Sequence, residues 1–188
     1  MNAEKAAPLF CAGITAYNAI LTAELEEGNW YAKALKFNVV ALDIEDNVLE
    51  QARQGGADYF FNIKSNPDFL GQIHQITSGG LDAVAVFTAV KAGFDIAPAM
   101  LRTGAKLIVV RCPPAKISFN ATEIALKRYS ILGANNSATK DRLVECAEVT
   151  QHHNIEPPIR SFKIDQIDEM VGIMQAGKLG GNRLVVVY

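Results

Sequence analysis

The sequence lacks a long uncharged apolar run, an excess of basic charge and a pairing pattern among its cysteines. No apolar stretch approaches the roughly 18 residues that a membrane span needs, so we expect no membrane partner. The formal net charge of -2 leaves no basic field that could hold a phosphate backbone. We therefore expect no nucleic-acid partner either.

Three cysteines occur, Cys11, Cys112 and Cys146, and they form no C-x-x-C pair. An odd number of widely separated cysteines argues against a disulfide framework. A chain of 188 residues can build a core without such staples. The N-terminus has no basic stretch followed by an apolar core, so we expect no signal peptide. Together these absences favour a cytoplasmic setting, in which thiols stay reduced.

What the sequence does contain is an alternation of short apolar runs with segments of helical spacing. Hydrophobic residues make up 49% and charged residues 20% of the chain, which is typical of a globular domain. The predicted strands are Asn38–Asp43, Ala57–Ile63, Asp82–Thr88, Ala105–Val110, Tyr129–Gly133, Ile159–Ile164 and Arg183–Tyr188. The predicted helices are Asp46–Gln54, Asn66–Thr77, Ala92–Leu101, Ala121–Lys127, Thr139–His153 and Asp165–Ala176.

Two of these runs, VAVF within Asp82–Thr88 and LIVV within Ala105–Val110, are apolar on both faces. A parallel sheet covered by helices requires such strands. One helix between successive strands indicates right-handed crossovers. The sequence therefore predicts an α/β fold, a doubly wound, Rossmann-like parallel sheet with helices on both faces.

Local signals mark where elements begin and end. Thr103-Gly104 predicts a turn before the Ala105–Val110 strand. Asp165 stands where the N-cap of the last helix is expected, and Gly177 stands where its C-cap is expected.

The segment Ala7–Asn18 (APLFCAGITAYN) resembles the motif that opens the cofactor domain of zinc-dependent, medium-chain alcohol dehydrogenases, in its yeast and fungal form. Further segments that resemble this family, in the same order, are Glu27–Trp30, Tyr31–Asp43, Asp82–Ala89 and Ala176–Val187. The resemblance implies one NAD-binding-type domain over 1–188. Within it, 1–30 would be an entry helix, 31–153 a Rossmann-like core and 154–188 a C-terminal return segment.

The resemblance also implies a chemistry: NAD-dependent oxidation of an alcohol or reduction of an aldehyde, with zinc as the Lewis acid. The family's full chain is about twice as long. Its N-terminal domain carries the substrate pocket and two of the three protein ligands of the catalytic zinc, so we expect this truncated chain to be impaired or inactive. The alternative is a non-catalytic nucleotide-binding or interaction fragment. Strands such as Tyr129–Gly133 form subunit contacts in the family, which implies homo-oligomers through sheet edges.

A glycine-rich G-x-G-x-x-G loop, which the family uses to approach the cofactor pyrophosphate, is missing. The loop and the first strand belong between Trp30 and Tyr31, which are adjacent here, and no G-x-G triplet occurs in the sequence. That strand is central in the usual order. Either Asn38–Asp43 pairs directly with Asp82–Thr88, or two apolar sheet edges are left open, and open edges lower stability.

Asp43 is the principal candidate for cofactor binding. It ends the second strand of the family pattern, where an acid accepts hydrogen bonds from the adenosine ribose. Glu45 and Asp46 follow with no adjacent Arg or Lys, so a 2′-phosphate would be repelled and NAD is favoured over NADP. The alternative is that Asp43 caps the next helix.

Two residues of the opening motif match catalytic positions of the family. Cys11 matches the zinc ligand on this domain; the alternative is a small buried cysteine on an apolar helix. Thr15 matches a threonine that contacts the nicotinamide; the alternative is a helix threonine that bonds the preceding turn. His74, His152 and His153 are not at ligand spacing with Cys11, so we interpret them as surface residues.

The remaining candidates follow predicted strands at the edge where open α/β sheets bind ligands. By resemblance, Phe87, Thr88, Val110 and Cys112 flank the bound cofactor.

Two positions depart from the family pattern. Arg111 replaces a glycine and would crowd the nicotinamide. Ser137 replaces an arginine before the Thr139 helix.

Arg183 matches an arginine that contacts the pyrophosphate, with Asn182 inserted before it; the alternative is a solvent-facing residue on an edge strand.

Overall fold

The computed structural model describes residues 2–24, 37–137 and 139–187. The Glu27–Trp30 motif and the Trp30–Tyr31 junction lie outside the described residues. Elements are numbered here among the described residues alone.

The described strands all belong to parallel ladders. They are β1 (Val40–Asp43), β2 (Tyr59–Asn62), β3 (Leu81–Val86), β4 (Leu101–Val109), β5 (Tyr129–Gly133), β6 (Ile159–Lys163) and β7 (Arg183–Val187). The α-helices are α1 (Ala3–Ala6), α2 (Ala12–Ala23), α3 (Asp46–Gln54), α4 (Phe69–Ile76), α5 (Lys91–Ile96), α6 (Ala121–Ala125), α7 (Lys140–His152) and α8 (Ile167–Gln175). Short 3-10 helices span Ala7–Phe10, Ala97–Met100 and Ile164–Gln166.

Three ladders form, in the orders β1-β2, β3-β4-β5 and β6-β7. Helices cover both faces of the middle ladder. On one face, Leu107 of β4 packs with Ile73 of α4 and Phe94 of α5. On the other face, the next residue Ile108 packs with Ala19 of α2. This alternation confirms the predicted Rossmann-like α/β class, because successive side chains of a strand point to opposite faces.

In the strand order expected for this fold, the first strand would lie between β1 and β3. Among the described strands, β1 pairs with β2 alone and β3 pairs with β4 alone. Val40 and Leu42 of β1 pack against the main core, so β1 is joined to the middle ladder by side chains and not by a backbone ladder. Of the two arrangements that the sequence allowed, the described residues adopt the one with open strand edges.

Two local predictions were wrong. The predicted turn at Thr103-Gly104 lies inside β4, where Gly104 has φ +82° and its N–H donates to the Arg128 carbonyl at 2.8 Å. The strand therefore continues through an irregular register, which glycine permits. Asp165 is not the cap of α8. It lies inside the 3-10 helix Ile164–Gln166, and Gln166 precedes α8 without a side-chain cap hydrogen bond. The Gln166 Oε1 instead accepts the N–H of Lys163 at 2.9 Å, at the start of the 3-10 helix.

No single helix among the described residues is both long and apolar enough to cross a membrane. The Ala3–Phe10 and Ala12–Ala23 helices meet those criteria of length and composition together, with a bend of 47° between them.

The edges of β1 and β3 that are unpaired among the described strands lead to a prediction about stability. We expect the purified chain to unfold at a lower temperature than relatives with a complete sheet, and to bind an apolar dye before it unfolds. Tyr59 and Phe60 of the edge strand β2, 42% and 45% exposed, add to this apolar surface. A calorimetric scan checks the prediction. A single cooperative transition between about 45 and 65 °C, ordinary for a domain, would contradict it.

The Gly79-Gly80 turn before β3 provides a matched pair of substitutions. Both glycines have φ above +120°, but a Cβ on Gly80 would lie 2.6 Å from the backbone nitrogen of Arg102, whereas a Cβ on Gly79 meets nothing within 4 Å. Gly79→Ala should lower the free energy of unfolding by about 1–3 kcal/mol through backbone strain alone. Gly80→Ala should lower the free energy of unfolding clearly more than Gly79→Ala, because the backbone must also move away from the new Cβ. Equal losses in urea unfolding would show that the close approach to Arg102 does not matter.

Candidate functional site

Two long-range contacts fix the direction of α2. Near its middle, Nδ2 of Asn18 donates to the carbonyls of Asn135 and Ser137, at 2.9 and 3.0 Å, in the turn that follows β5. Just after its C-terminus, Glu24 accepts a hydrogen bond from Lys106 of β4 at 2.9 Å. Lys106 pairs with the second residue of β5, near the amino end of that ladder. The helix therefore runs antiparallel to β4 and β5.

This direction carries the start of α2 towards the carboxyl edge of the sheet. Cys11, Thr15 and Asn18 are spaced at i, i+4 and i+7, so they share one face of the helix. At 1.5 Å per residue, Thr15 lies about 4–5 Å and Cys11 about 10 Å beyond Asn18 along the axis. The two residues matched to the family's catalytic positions are thus placed at the edge where open α/β sheets bind ligands.

The Thr15 hydroxyl donates to the carbonyl of Cys11 at 2.6 Å. This is the bond to the preceding turn that was the alternative to a ligand role. The hydroxyl proton is used within the helix, while the oxygen retains lone pairs that can accept a hydrogen bond.

Cys11 is an exposed free thiol, where the alternative to a ligand role was a buried cysteine. Among the described residues, no group of three or more His, Cys, Asp and Glu is placed so that it could hold a metal. A catalytic zinc needs three protein ligands. The described residues alone therefore do not fit a catalytic zinc.

The three histidines lie on the surface, as predicted, and each is exposed. The His74 ring nitrogen Nε2 lies 2.9 Å from the carbonyl of Ala99. His152 and His153 stack edge to face at the end of α7.

Asp43 is held in a fixed orientation at the end of β1. Its Oδ1 accepts the N–H groups of Ile44 and Glu45, at 2.7 and 3.0 Å. Among the described residues, none donates a hydrogen bond to Oδ2. The carboxylate thus supports the turn before α3 and presents one unengaged oxygen. It does not cap α3, because the N-cap position is Glu45 and no side chain accepts a capping hydrogen bond there.

A cavity of about 280 Å³ lies beside this turn, between α3 and β2. Its lining residues are Asp46, Leu49, Glu50, Arg53, Phe60 and Asn62. Hydrogen bonds from Arg53 and then Gln54 lower the pKa of the exposed Glu50 carboxyl to about 2. The Asn62 amide donates to Asp46 at 2.6 Å. The carboxylates of Asp46 and Glu50 therefore dominate this side of Asp43. They make it an unfavourable setting for a phosphate on the 2′ position of a ribose.

The ends of β3 and β4 meet at the carbonyl of Val86. The N–H groups of Val110 and Arg111 both point to this carbonyl, at 3.3 and 3.4 Å. This contact places Phe87 next to Val110 at the ligand-binding edge, and Phe87 is 50% exposed.

Three neighbours complete this edge. Thr88 follows β3, and its Oγ1 accepts the N–H of Val90 at 3.1 Å. Cys112 is exposed after β4. Arg111 is exposed and forms no ion pair with any described residue. No ion pair among the described residues therefore fixes its guanidinium at the end of β4.

Arg183 begins β7 and is exposed, with its N–H bonded to the Pro158 carbonyl at 2.8 Å. The turn before it is held against α3, because the Gln51 side chain donates to the Gly180 carbonyl at 2.8 Å. The inserted Asn182 closes this turn through its Nδ2, which donates to Leu179 at 3.2 Å. The turn carrying Arg183 thus lies against the helix that follows Asp43.

The fold therefore brings the candidates together in two groups. Asp43 lies with the Arg183 turn, and Thr15 with the strand ends of the middle ladder. Sequence reasoning missed Asn18 and Gln51, which make the long-range contacts behind this arrangement. The helical spacing of Asn18 from Thr15 and Cys11 is a signal that could have found the first; no local signal marks the second.

Comparison with curated proteins gives a relative of similar sequence, an alcohol dehydrogenase from Geobacillus stearothermophilus. It is 30% identical over 202 residues, an alignment that takes in 100% of this chain and 59% of the relative. The alignment is longer than the chain, so the relative carries residues with no counterpart here. The chain spans somewhat more than half the length of the curated relatives it matches.

Solved structures agree on the fold. An alcohol dehydrogenase from the hyperthermophilic archaeon Aeropyrum pernix superposes with a TM-score of 0.84 at 22% identity, over 98% of this chain and 58% of that one. An acetophenone reductase from Geotrichum candidum, solved in complex with NAD, superposes with a TM-score of 0.82 at 21% identity, over 100% of this chain and 57% of that one.

The family comparison covers the part of the chain that holds Asp43 and the ends of β3 and β4. Residues 30–149, well over half of the sequence, match the family described as zinc-binding dehydrogenase. The match, the parallel ladders and the placement of α2 agree, and the chain belongs to the zinc-binding dehydrogenase family.

Proposed function

We propose that this chain is the cofactor-binding portion of an NAD-dependent alcohol or aldehyde oxidoreductase, and that Asp43 binds the adenosine ribose. The observation that carries the proposal is the orientation of Asp43, whose Oδ1 is engaged by two backbone N–H groups. A carboxylate held in this way needs no reorganisation to accept a ribose hydroxyl at Oδ2. Preorganised acceptors bind more tightly because less ordering remains to be done.

The charges around Asp43 favour NAD over NADP. Glu45 and Asp46 follow it directly, and the Glu50 carboxyl stays ionised down to low pH. A 2′-phosphate would add negative charge beside these groups, and like charges at close range repel. Arg183 is the candidate donor to the pyrophosphate. The turn before it packs against α3, the helix that follows Asp43, so Arg183 belongs to the same side of the proposed site.

The nicotinamide side is proposed to involve Thr15 and the strand ends at Phe87, Val110 and Cys112. Bound NAD supplies the hydride acceptor of the reaction. Cys11 supplies at most one zinc ligand, and a catalytic zinc would need two more from outside the described residues or from a partner chain. We therefore derive no step through zinc, and we propose that this chain is impaired or inactive as an alcohol or aldehyde oxidoreductase.

A second candidate is a non-catalytic nucleotide-binding or interaction fragment of an alcohol dehydrogenase. The unpaired edges of β1 and β3 among the described strands favour it, because such edges pair with other strands. Homo-oligomers through sheet edges belong to this proposal. The described cysteines form no disulfide with one another, which suits a cytoplasmic setting for either candidate. The opening motif at Ala7–Asn18 supports a relationship to the yeast and fungal type.

The ribose role of Asp43 is tested by titration with NADH, followed by cofactor fluorescence at low salt. Asp43→Asn keeps the shape of the side chain but removes its charge, and should weaken NADH binding about 10- to 100-fold, the usual range for hydrogen bonds to a charged group. Asp165→Asn, on the distant 3-10 helix, is the matched control and should bind like the wild type.

Three results of this titration, combined with a turnover assay that supplies NAD and an alcohol, decide between the candidates. Saturable binding together with alcohol-dependent NADH formation supports an active oxidoreductase, and saturable binding without turnover supports the nucleotide-binding fragment. No binding at millimolar NADH would overturn both cofactor-binding proposals and leave the interaction fragment.

Arg111 gives a separate prediction about crowding. Replacing Arg111 by Gly should raise the affinity for NADH several-fold, because the exposed guanidinium stands at the end of β4 where the nicotinamide is proposed to lie. ADP-ribose, which lacks the nicotinamide, serves as the control ligand and should bind both proteins equally in calorimetry. A loss of NADH affinity in the Arg111→Gly variant would show that the arginine binds the cofactor instead of crowding it.

A further inference from the structure

The Asn18 amide joins two parts of the chain that are more than a hundred residues apart. Both of its contacts go to one turn, at the carbonyls of Asn135 and Ser137. The turn is itself closed by Asn135, whose Oδ1 accepts the N–H of Ser137 at 2.8 Å. A side chain on α2 therefore completes the hydrogen bonding of the turn at the carboxyl end of β5.

The chemistry of this contact suits an amide. A primary amide offers two N–H donors from one nitrogen, and both acceptors here are backbone carbonyls. An aspartate at position 18 has the same shape and no donor, so it would place a negative charge against two carbonyl oxygens. Both acceptors lie in an exposed turn, where water can replace a lost donor, so the expected effect is on the position of α2 more than on stability.

Packing prevents α2 from adjusting freely around this contact. Ile14 and Ala19, each 1% exposed, are buried against different neighbours: Ile14 with Cys146 of α7, and Ala19 with Ile108 of β4. Packing therefore fixes the rotation of α2 about its own axis. The polar contacts of Asn18 and Glu24 fix the position of α2 along that axis, relative to the ends of the strands.

We infer that Asn18 is a positioning residue that holds Thr15 at the nicotinamide side of the site, an inference that rests on the proposed function. Thr15 lies one helical turn from Asn18, on the same face and nearer the ligand edge. Loss of the Asn18 contact shifts this part of α2 relative to the ends of β4 and β5. Asp43 lies on a different ladder, so the adenosine side is unaffected.

The test compares two ligands that differ only in the nicotinamide. NADH and ADP-ribose are titrated into the wild-type chain and the Asn18→Asp variant by calorimetry. We expect Asn18→Asp to weaken NADH about tenfold and to leave ADP-ribose within twofold. The matched control is Asn136→Asp, which adds the same charge in the same turn, at a side chain that makes no hydrogen bond with any described residue.

A second variant and a second measurement cover the case in which Asn18→Asp does not fold. Asn18→Ala removes both donors without adding charge and should weaken NADH selectively, though less. In hydrogen exchange, either variant should speed exchange of the Ser137 amide about tenfold, while amides in the middle of α7 are unchanged.

Each remaining outcome overturns the inference in a recognisable way. Equal weakening of NADH and ADP-ribose in both Asn18 variants would mean a structural role alone, and unchanged NADH binding would mean no role in the site. If the wild-type chain binds neither ligand, the proposed function fails together with the inference. That failure is seen before any variant is compared.

Discussion

The fold depends on β4 being buried on both faces. Leu107 and Ile108 are consecutive and each is 0% exposed, so one faces the helices α4 and α5 while the other faces α2. Helices on both faces keep water from the middle ladder, and its strands then have to satisfy their N–H and C=O groups by pairing with one another. The carboxyl ends of β3, β4 and β5 are brought to one edge as a consequence. The candidate residues at Phe87 and Val110 are neighbours because of this ladder, since nothing in the local sequence would place them together.

A second level of organisation comes from polar side chains that connect distant segments. Asn18 ties α2 to the turn after β5, and Gln51 ties α3 to the turn before Arg183. The turn after β5 and the turn before Arg183 are otherwise closed by hydrogen bonds between residues close in sequence. Single hydrogen bonds of this kind contribute only about 1 kcal/mol to stability. Their importance is geometric, because a cofactor site requires atoms from separate elements to keep fixed distances.

Sequence reasoning succeeded where the signal is local. The helix Asp46–Gln54 and the strand Tyr129–Gly133 have the predicted bounds, and the helix predicted over Thr139–His153 is observed over Lys140–His152. The positive φ of Gly177 likewise fits the expected helix end. Reasoning failed where a longer-range contact decides. Thr103-Gly104 carries a turn signal, yet a backbone bond to Arg128 keeps it in β4. The pairing of β1 could not be chosen either, because both arrangements use the same apolar residues. Asn18 and Gln51 are polar residues on helices, which sequence alone assigns to solvent.

The two halves of the proposed cofactor site lie on different ladders. Asp43 belongs to β1 and β2, while Thr15 and the strand ends belong to the middle ladder and to α2. Among the described residues, β1 is joined to that ladder through the packing of side chains such as Val40 and Leu42. Apolar packing is weakly directional, so it sets the distance between the ladders less sharply than a shared row of hydrogen bonds would. A dinucleotide long enough to touch both halves would act as a third connection. Because such a ligand binds the folded arrangement alone, it would stabilise the joined ladders in proportion to the logarithm of its concentration. We therefore expect binding and the integrity of the sheet to be coupled more strongly in this chain than in a relative whose central strand links the two halves.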